Sequence, residues 1–123
     1  MKDIQNLEVN KNEYVQWYYE KEKVLVESPH ILQAVYNPKG PFIYALFSVG
    51  GEDPHYFKVY SAGGQEIVVL SAPAGFEFSY LTTHPSIGAA VVAGSNQKID
   101  NWYDWHFGYD SETKELFRHC PAY

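Results

Sequence analysis

The sequence predicts a mainly β fold: an antiparallel meander of about eight strands that forms a small barrel or sandwich, with one short amino-terminal helix. Turn signals rich in glycine and proline recur about every 11 to 12 residues between positions 38 and 75, the spacing of consecutive strands in all-β domains. The segments between these turns are rich in Val, Ile, Tyr and Phe and lack helical periodicity. We therefore expect residues 1–123 to form one β-rich domain.

The amino-terminal segment is the only one in which the sequence favours a helix. Apolar and aromatic residues between positions 14 and 25 follow i, i+3, i+4, i+7 spacing, and residues 10–13 resemble a capping box. This pattern predicts a helix from about residue 11 to residue 23. Because several of the same residues are strongly β-prone, a hairpin across residues 11–26 is the alternative.

Eight later segments carry a strand pattern. They are residues 31–36, 42–49, 56–60, 66–71, 76–81, 87–93, 102–109 and 115–119. The segment 42–49 is apolar on both faces, which predicts a central strand covered on both sides. The segment 87–93 contains the small residues 88–90, which would let another chain segment or a ligand approach closely. Gly, Ser and Asn at 94–96 predict a turn after it.

Composition excludes several functional classes. Nine basic residues against 15 acidic ones give a net charge of −6, whereas nucleic-acid binding needs clustered Lys and Arg, so no nucleic-acid partner is expected. The single cysteine, Cys120, cannot form an internal disulfide. Charged residues occupy positions 1–10 where a signal peptide needs an apolar run, and no apolar run of about 18 residues occurs. We expect a soluble cytoplasmic protein with no membrane partner.

The aromatic segment 100–109 contains the first candidate for chemistry. In a strand, the aromatic residues at 103, 105, 107 and 109 share the core face, and Trp102, Asp104 and His106 share the opposite face. A carboxylate beside an imidazole can orient the ring and make it a general base. Asp104 and His106 are therefore weak catalytic candidates, and an exposed ion pair is the alternative interpretation.

His84 is the other weak catalytic candidate, because three hydroxyl side chains surround it in the segment 82–86. The alternative is a loop histidine that fixes a turn before Pro85. The chain's five histidines show neither i, i+4 pairing nor zinc-type spacing with cysteine, and the side chains of His119 and Cys120 would point apart in a regular strand. The sequence therefore predicts no metal site and no cofactor.

Three functions compete on this basis. Aromatic residues make up 17% of an acidic chain, which favours a small protein-interaction module, such as an immunity or inhibitor-type protein that neutralises a basic partner protein. A β-barrel that binds a small apolar or aromatic ligand is the alternative, and an enzyme using His106 and Asp104 is the third reading. We expect the binding surface to contain Trp102, Asp104 and His106, together with Trp17 and Tyr18. The sequence leaves homo-oligomerisation open.

Overall fold

A computed structural model describes residues 3–122, and every regular element in this range is a β-strand. Eleven strands form three antiparallel sheets within the described range, and none of these sheets closes into a barrel. The mainly β prediction is confirmed, whereas the amino-terminal helix and the count of eight strands are wrong. No helix in the described residues is long and apolar enough to cross a membrane.

Sheet A replaces the predicted helix. Its strands, in the order β1-β2-β3, are β1 (Ile4–Asn10), β2 (Tyr14–Tyr19) and β3 (Glu22–Glu27). Burial in β2 alternates, since Val15 and Trp17 have no exposed surface while their neighbours are partly or fully exposed, and this is the period of a strand. Glu20 and Lys21 connect β2 to β3 with φ values of 53° and 69°, the conformation of a two-residue hairpin turn. The hairpin alternative therefore describes this segment.

Sheet B lies in the middle of the molecule. Its strands, in the order β4-β5-β6-β7, are β4 (Ile31–Asn37), β5 (Phe42–Phe47), β6 (Tyr56–Ser61) and β7 (Glu66–Ser71). Ile43 and Phe47 on one face of β5 pack with Trp17 of sheet A in a first core. Tyr44 and Leu46 on the other face pack in a second core. The prediction of a central strand covered on both sides is confirmed, but this strand ends at Phe47 and not at residue 49, and Val49 is 67% exposed.

Sheet C covers the second face of sheet B. Its strands, in the order β11-β10-β9-β8, are β8 (Phe76–His84), β9 (Gly88–Ile99), β10 (Trp102–Asp110) and β11 (Glu115–Pro121). Trp105, Phe107 and Tyr109 of β10 enter the second core, as the alternation predicts. The same prediction is wrong for Tyr103, which is 49% exposed and lies outside this core. The three sheets therefore form a layered sandwich, and the barrel alternative is wrong.

The turn predicted at residues 94–96 is also wrong, because β9 continues through it to Ile99. Asp100 and Asn101 make the turn instead, with φ values of 48° and 76°. Gly94 has a packing role: a Cβ at this position would lie 2.6 Å from Oδ1 of Asp104 on the neighbouring strand. The glycine permits this close approach rather than a reversal of the chain.

Candidate functional site

The outer face of sheet C is the face that points away from sheet B. Backbone pairing places Tyr80, Val92, His106 and Cys120 in one row across its four strands. Val92 and Ala90 are buried on this face, yet they belong to neither of the two cores. Their burial shows that other side chains pack over this outer face. Ala90 is one of the small residues expected at positions 88–90, and it lies beneath this packing.

A β-bulge in β11 determines which side chains reach this face. His106 pairs with Cys120 and Phe107 pairs with Arg118, so His119 is an extra residue in the ladder. A bulge changes the direction of a side chain that would otherwise alternate. The ligand atoms of His119 and Cys120 accordingly lie in one group with that of His84, all within 4.8 Å of one another. The prediction that the side chains of His119 and Cys120 point apart is wrong.

Four side chains meet here, and we call them the Cys–His cluster: His84, His106, His119 and Cys120. Sγ of Cys120 lies 3.4 Å from Nε2 of His84 and 3.5 Å from Nδ1 of His106. The ring of His84 is 5.0 Å from that of His106 and 5.1 Å from that of His119, measured between centroids. His84 and Cys120 are half-buried, and His119 is exposed.

The contact between His84 and Cys120 requires sheet C to be strongly curved. His84 ends β8 and Cys120 lies on β11, and these are the two edge strands of the sheet. In a flat sheet, backbones three strands apart are separated by about 14 Å, too far for a thiol and an imidazole in direct contact. Coiling brings the two edges together over the outer face. Gly108 leaves room on that face for the ring of Phe117.

The backbone fixes the tautomer of His84. Nδ1 accepts a hydrogen bond from the N–H of Ser86 at 3.1 Å, so the proton of the neutral ring is on Nε2, which faces Cys120. Burial lowers the pKa of His84 below its ordinary value of 6.5, and the nearby charges of His106 and His119 lower it further. The surroundings of His84 therefore favour the neutral form of its imidazole.

His106 is oriented by β11 and not by Asp104. Its Nδ1 lies 3.2 Å from the carbonyl oxygen of Pro121, which can only accept, so this nitrogen carries the ring proton. Asp104 instead lies over Gly94 and lines a groove of about 620 Å³. The structure thus brings together two of the sequence-derived catalytic candidates, His84 and His106, and shows no contact between Asp104 and His106.

The expected binding residues do not share one surface. Trp17 has no exposed surface and donates its indole N–H to the carbonyl oxygen of Ala62 at 2.7 Å, so it is a core residue. Tyr18 is 37% exposed but belongs to sheet A. Trp102 is 40% exposed at the start of β10 in sheet C. The residues that sequence reasoning missed are His119 and Cys120.

The chain matches no protein-family model, no curated protein and no solved structure. Its function is therefore inferred from the chemistry of the Cys–His cluster and its surroundings.

Proposed function

We propose that this protein binds a transition-metal ion of the zinc type through His84, His119 and Cys120. The observation that carries the proposal is the convergence of two imidazoles and one thiol, with all three ligand atoms within 4.8 Å of one another. Thiolate and imidazole ligands prefer zinc and copper, whereas magnesium and calcium prefer oxygen ligands. The donor set therefore favours a borderline or soft ion.

The spacing within the cluster fits such an ion. Zinc in a tetrahedral site has Zn–S and Zn–N bonds of about 2.3 and 2.0–2.1 Å, which places a sulfur and a nitrogen ligand about 3.6 Å apart. The distance from Sγ of Cys120 to Nε2 of His84 is 3.4 Å. Binding would therefore need only a small displacement of these two side chains.

Binding through Nε2 of His84 has one local cost. The ring proton must leave Nε2, and if it moves to Nδ1 the ring no longer accepts the N–H of Ser86. A hydrogen bond of this kind contributes about 1 kcal/mol to stability. Structural zinc sites bind with about 10–16 kcal/mol, so losing this bond does not prevent metal binding.

The test is a competition titration of the purified, metal-free protein with Zn²⁺ against a chromophoric chelator. We expect His84→Ala, His119→Ala and Cys120→Ser each to weaken zinc binding by about 100-fold or more, because each removes a ligand. His55→Ala is the matched control, because His55 is an exposed histidine outside the cluster, and it should bind zinc like the wild type. Circular dichroism establishes that each variant is folded. Zinc affinities equal to wild type in all three folded ligand variants would contradict the proposal.

The acidic protein-interaction module is the second candidate, and a separate observation favours it. Trp102 and Phe117 in sheet C are each 40% exposed, in a chain with a net charge of −6. Exposed aromatic side chains on a protein with a net negative charge suit a basic protein partner. The alternative expectation, a small ligand inside a β-barrel, loses its premise because none of the sheets formed by the described residues closes into a barrel.

Trp102→Ala tests this second candidate. A partner captured from the native cell extract and then purified should bind the variant about 30-fold more weakly, the equivalent of about 2 kcal/mol for a hot-spot tryptophan. The association rate of the wild type should fall as salt rises. A variant with lowered thermal stability and unchanged affinity would show that Trp102 has a packing role only.

A further inference from the structure

We infer that the metal ion, bound as proposed above, keeps one coordination position open for a small exchangeable ligand such as water or a monodentate anion. This inference rests on the proposed metal site and concerns what completes it. Whether a position stays open depends on His106. This residue contacts Cys120, but its ring nitrogens do not lie where a fourth metal ligand would. It is a positioning residue whose Nδ1–H is shared between the carbonyl oxygen of Pro121 and the sulfur of Cys120.

A main-chain carbonyl group determines which ring nitrogen of His106 carries the proton. Nδ1 faces two atoms, the carbonyl oxygen of Pro121 at 3.2 Å and Sγ of Cys120 at 3.5 Å. A carbonyl oxygen only accepts, so Nδ1 must carry a proton, and a protonated nitrogen cannot coordinate a metal. His106 and Cys120 are also directly paired in the ladder between β10 and β11, which holds the ring in this position.

The distances between the ligand atoms of the cluster also indicate that His106 is not a metal ligand. Among residues 3–122, the group whose ligand atoms all lie within 4.8 Å of one another contains His84, His119 and Cys120, and His106 is outside it. Three protein ligands leave a tetrahedral ion one position short. In zinc proteins, four protein ligands are typical of structural sites, and three ligands with an open position are typical of sites that bind water or substrate.

Solvent can reach the open position from one side. His119 is exposed, whereas His84 and Cys120 are half-buried, so the cluster is open on the side of His119. The N–H of His106 would meanwhile withdraw electron density from the coordinated sulfur. This leaves the ion a stronger Lewis acid toward the exchangeable ligand.

The test uses protein loaded with Co²⁺, whose visible absorption reports coordination, and azide as the exogenous ligand. We expect azide to shift the d–d bands of the cobalt-loaded wild type in a saturable way. His106→Ala should keep cobalt affinity within about 100-fold of wild type, as for residues that support a ligand, and should shift the sulfur-to-cobalt charge-transfer band. His106→Asn, whose amide N–H can replace Nδ1–H, should restore that band. His55→Ala should match the wild type in all three measurements.

The outcomes separate this inference from the proposed function. Cobalt binding with no azide response would mean that the position is filled, which overturns the inference and leaves the metal site intact. Loss of cobalt binding in His106→Ala and His106→Asn as severe as in Cys120→Ser, with both variants folded, would make His106 a fourth ligand and also overturn it. Failure of the wild type to bind either Zn²⁺ or Co²⁺ would overturn the proposed function and the inference together.

Discussion

Strands β5 and β10 are both internal, aromatic-rich strands of four-stranded sheets, and they differ in what covers them. Both faces of β5 are buried, because sheet A packs on one and sheet C on the other. Only one face of β10 enters a core, and the other presents Asp104 and His106. A strand covered on both sides contributes all its side chains to stability, whereas a strand covered on one side can also hold reactive groups.

The largest expected difference in stability is between the loss of an aromatic side chain in the doubly covered strand and the loss of one on the outer face of sheet C. Phe47 on β5 is 1% exposed, and Phe117 on β11 is 40% exposed. We expect Phe47→Ala to lower the free energy of unfolding by about 3–5 kcal/mol and Phe117→Ala by about 1 kcal/mol or less. Urea denaturation measures both. Equal losses would mean that sheet C's outer face contributes to stability as much as the core does.

The second prediction concerns the first core, where Trp17 combines packing with a polar contact. Trp17→Phe removes the indole N–H that the carbonyl oxygen of Ala62 accepts at 2.7 Å, and Ala62 is buried. A buried acceptor left without a partner costs about 1–3 kcal/mol, so we expect a loss near 2 kcal/mol by urea denaturation. Tyr18→Phe, on the neighbouring exposed residue, is the control and should change stability by about 0.5 kcal/mol or less. A loss in Trp17→Phe as small as the control's would show that water replaces the bond.

The sequence predicted the doubly covered region well. Turn spacing and β-prone composition located all eight later strands, and the two apolar faces of the segment 42–49 identified the central strand. The amino-terminal sheet was mistaken for a helix because Tyr14, Trp17 and Tyr18 satisfy helical spacing as well as a strand's alternation. The turn at Glu20 and Lys21 contains no glycine or asparagine, so nothing in its composition marks a hairpin.

The Cys–His cluster was only half predictable. The sequence identified His84 and His106 as residues able to do chemistry, but it paired His106 with Asp104, two positions away. The true neighbours depend on long-range features: the coiling of sheet C and a bulge of one residue at His119. A bulge reverses the expected direction of a side chain without any signal in composition, which is why a metal site was rejected on sequence alone.

On the outer face of sheet C, Gly108 of β10 and Phe117 of β11 are directly paired. A Cβ at Gly108 would meet the ring of its paired residue Phe117. Because that ring is partly exposed and can move, we expect Gly108→Ala to cost only about 1 kcal/mol. Adding Phe117→Ala should remove most of this cost, and a double-mutant cycle by urea denaturation measures the coupling. Additive losses would show that the ring of Phe117 does not cause the cost of Gly108→Ala.

The smallest expected effect is the part of the pH dependence of stability that arises at His84. Burial and the charges of His106 and His119 lower the pKa of His84 below 6.5 in the folded, metal-free protein, and unfolding returns it to about 6.5. Below that pH the unfolded chain takes up a proton that folded His84 resists, so stability falls as pH decreases toward the folded pKa and is unaffected by this residue well above 6.5.

The comparison that isolates this effect is wild type against His84→Asn, which keeps an acceptor for the N–H of Ser86. His106 on β10 and His119 and Cys120 on β11 face His84 and are unchanged in the variant, so their own protonation affects both proteins. With chelator present, urea denaturation from pH 7.5 to pH 5 should show a steeper loss of stability in the wild type. Parallel profiles would mean that folding does not hinder protonation of His84, and the outer face would then resemble ordinary solvent-exposed surface in its electrostatics.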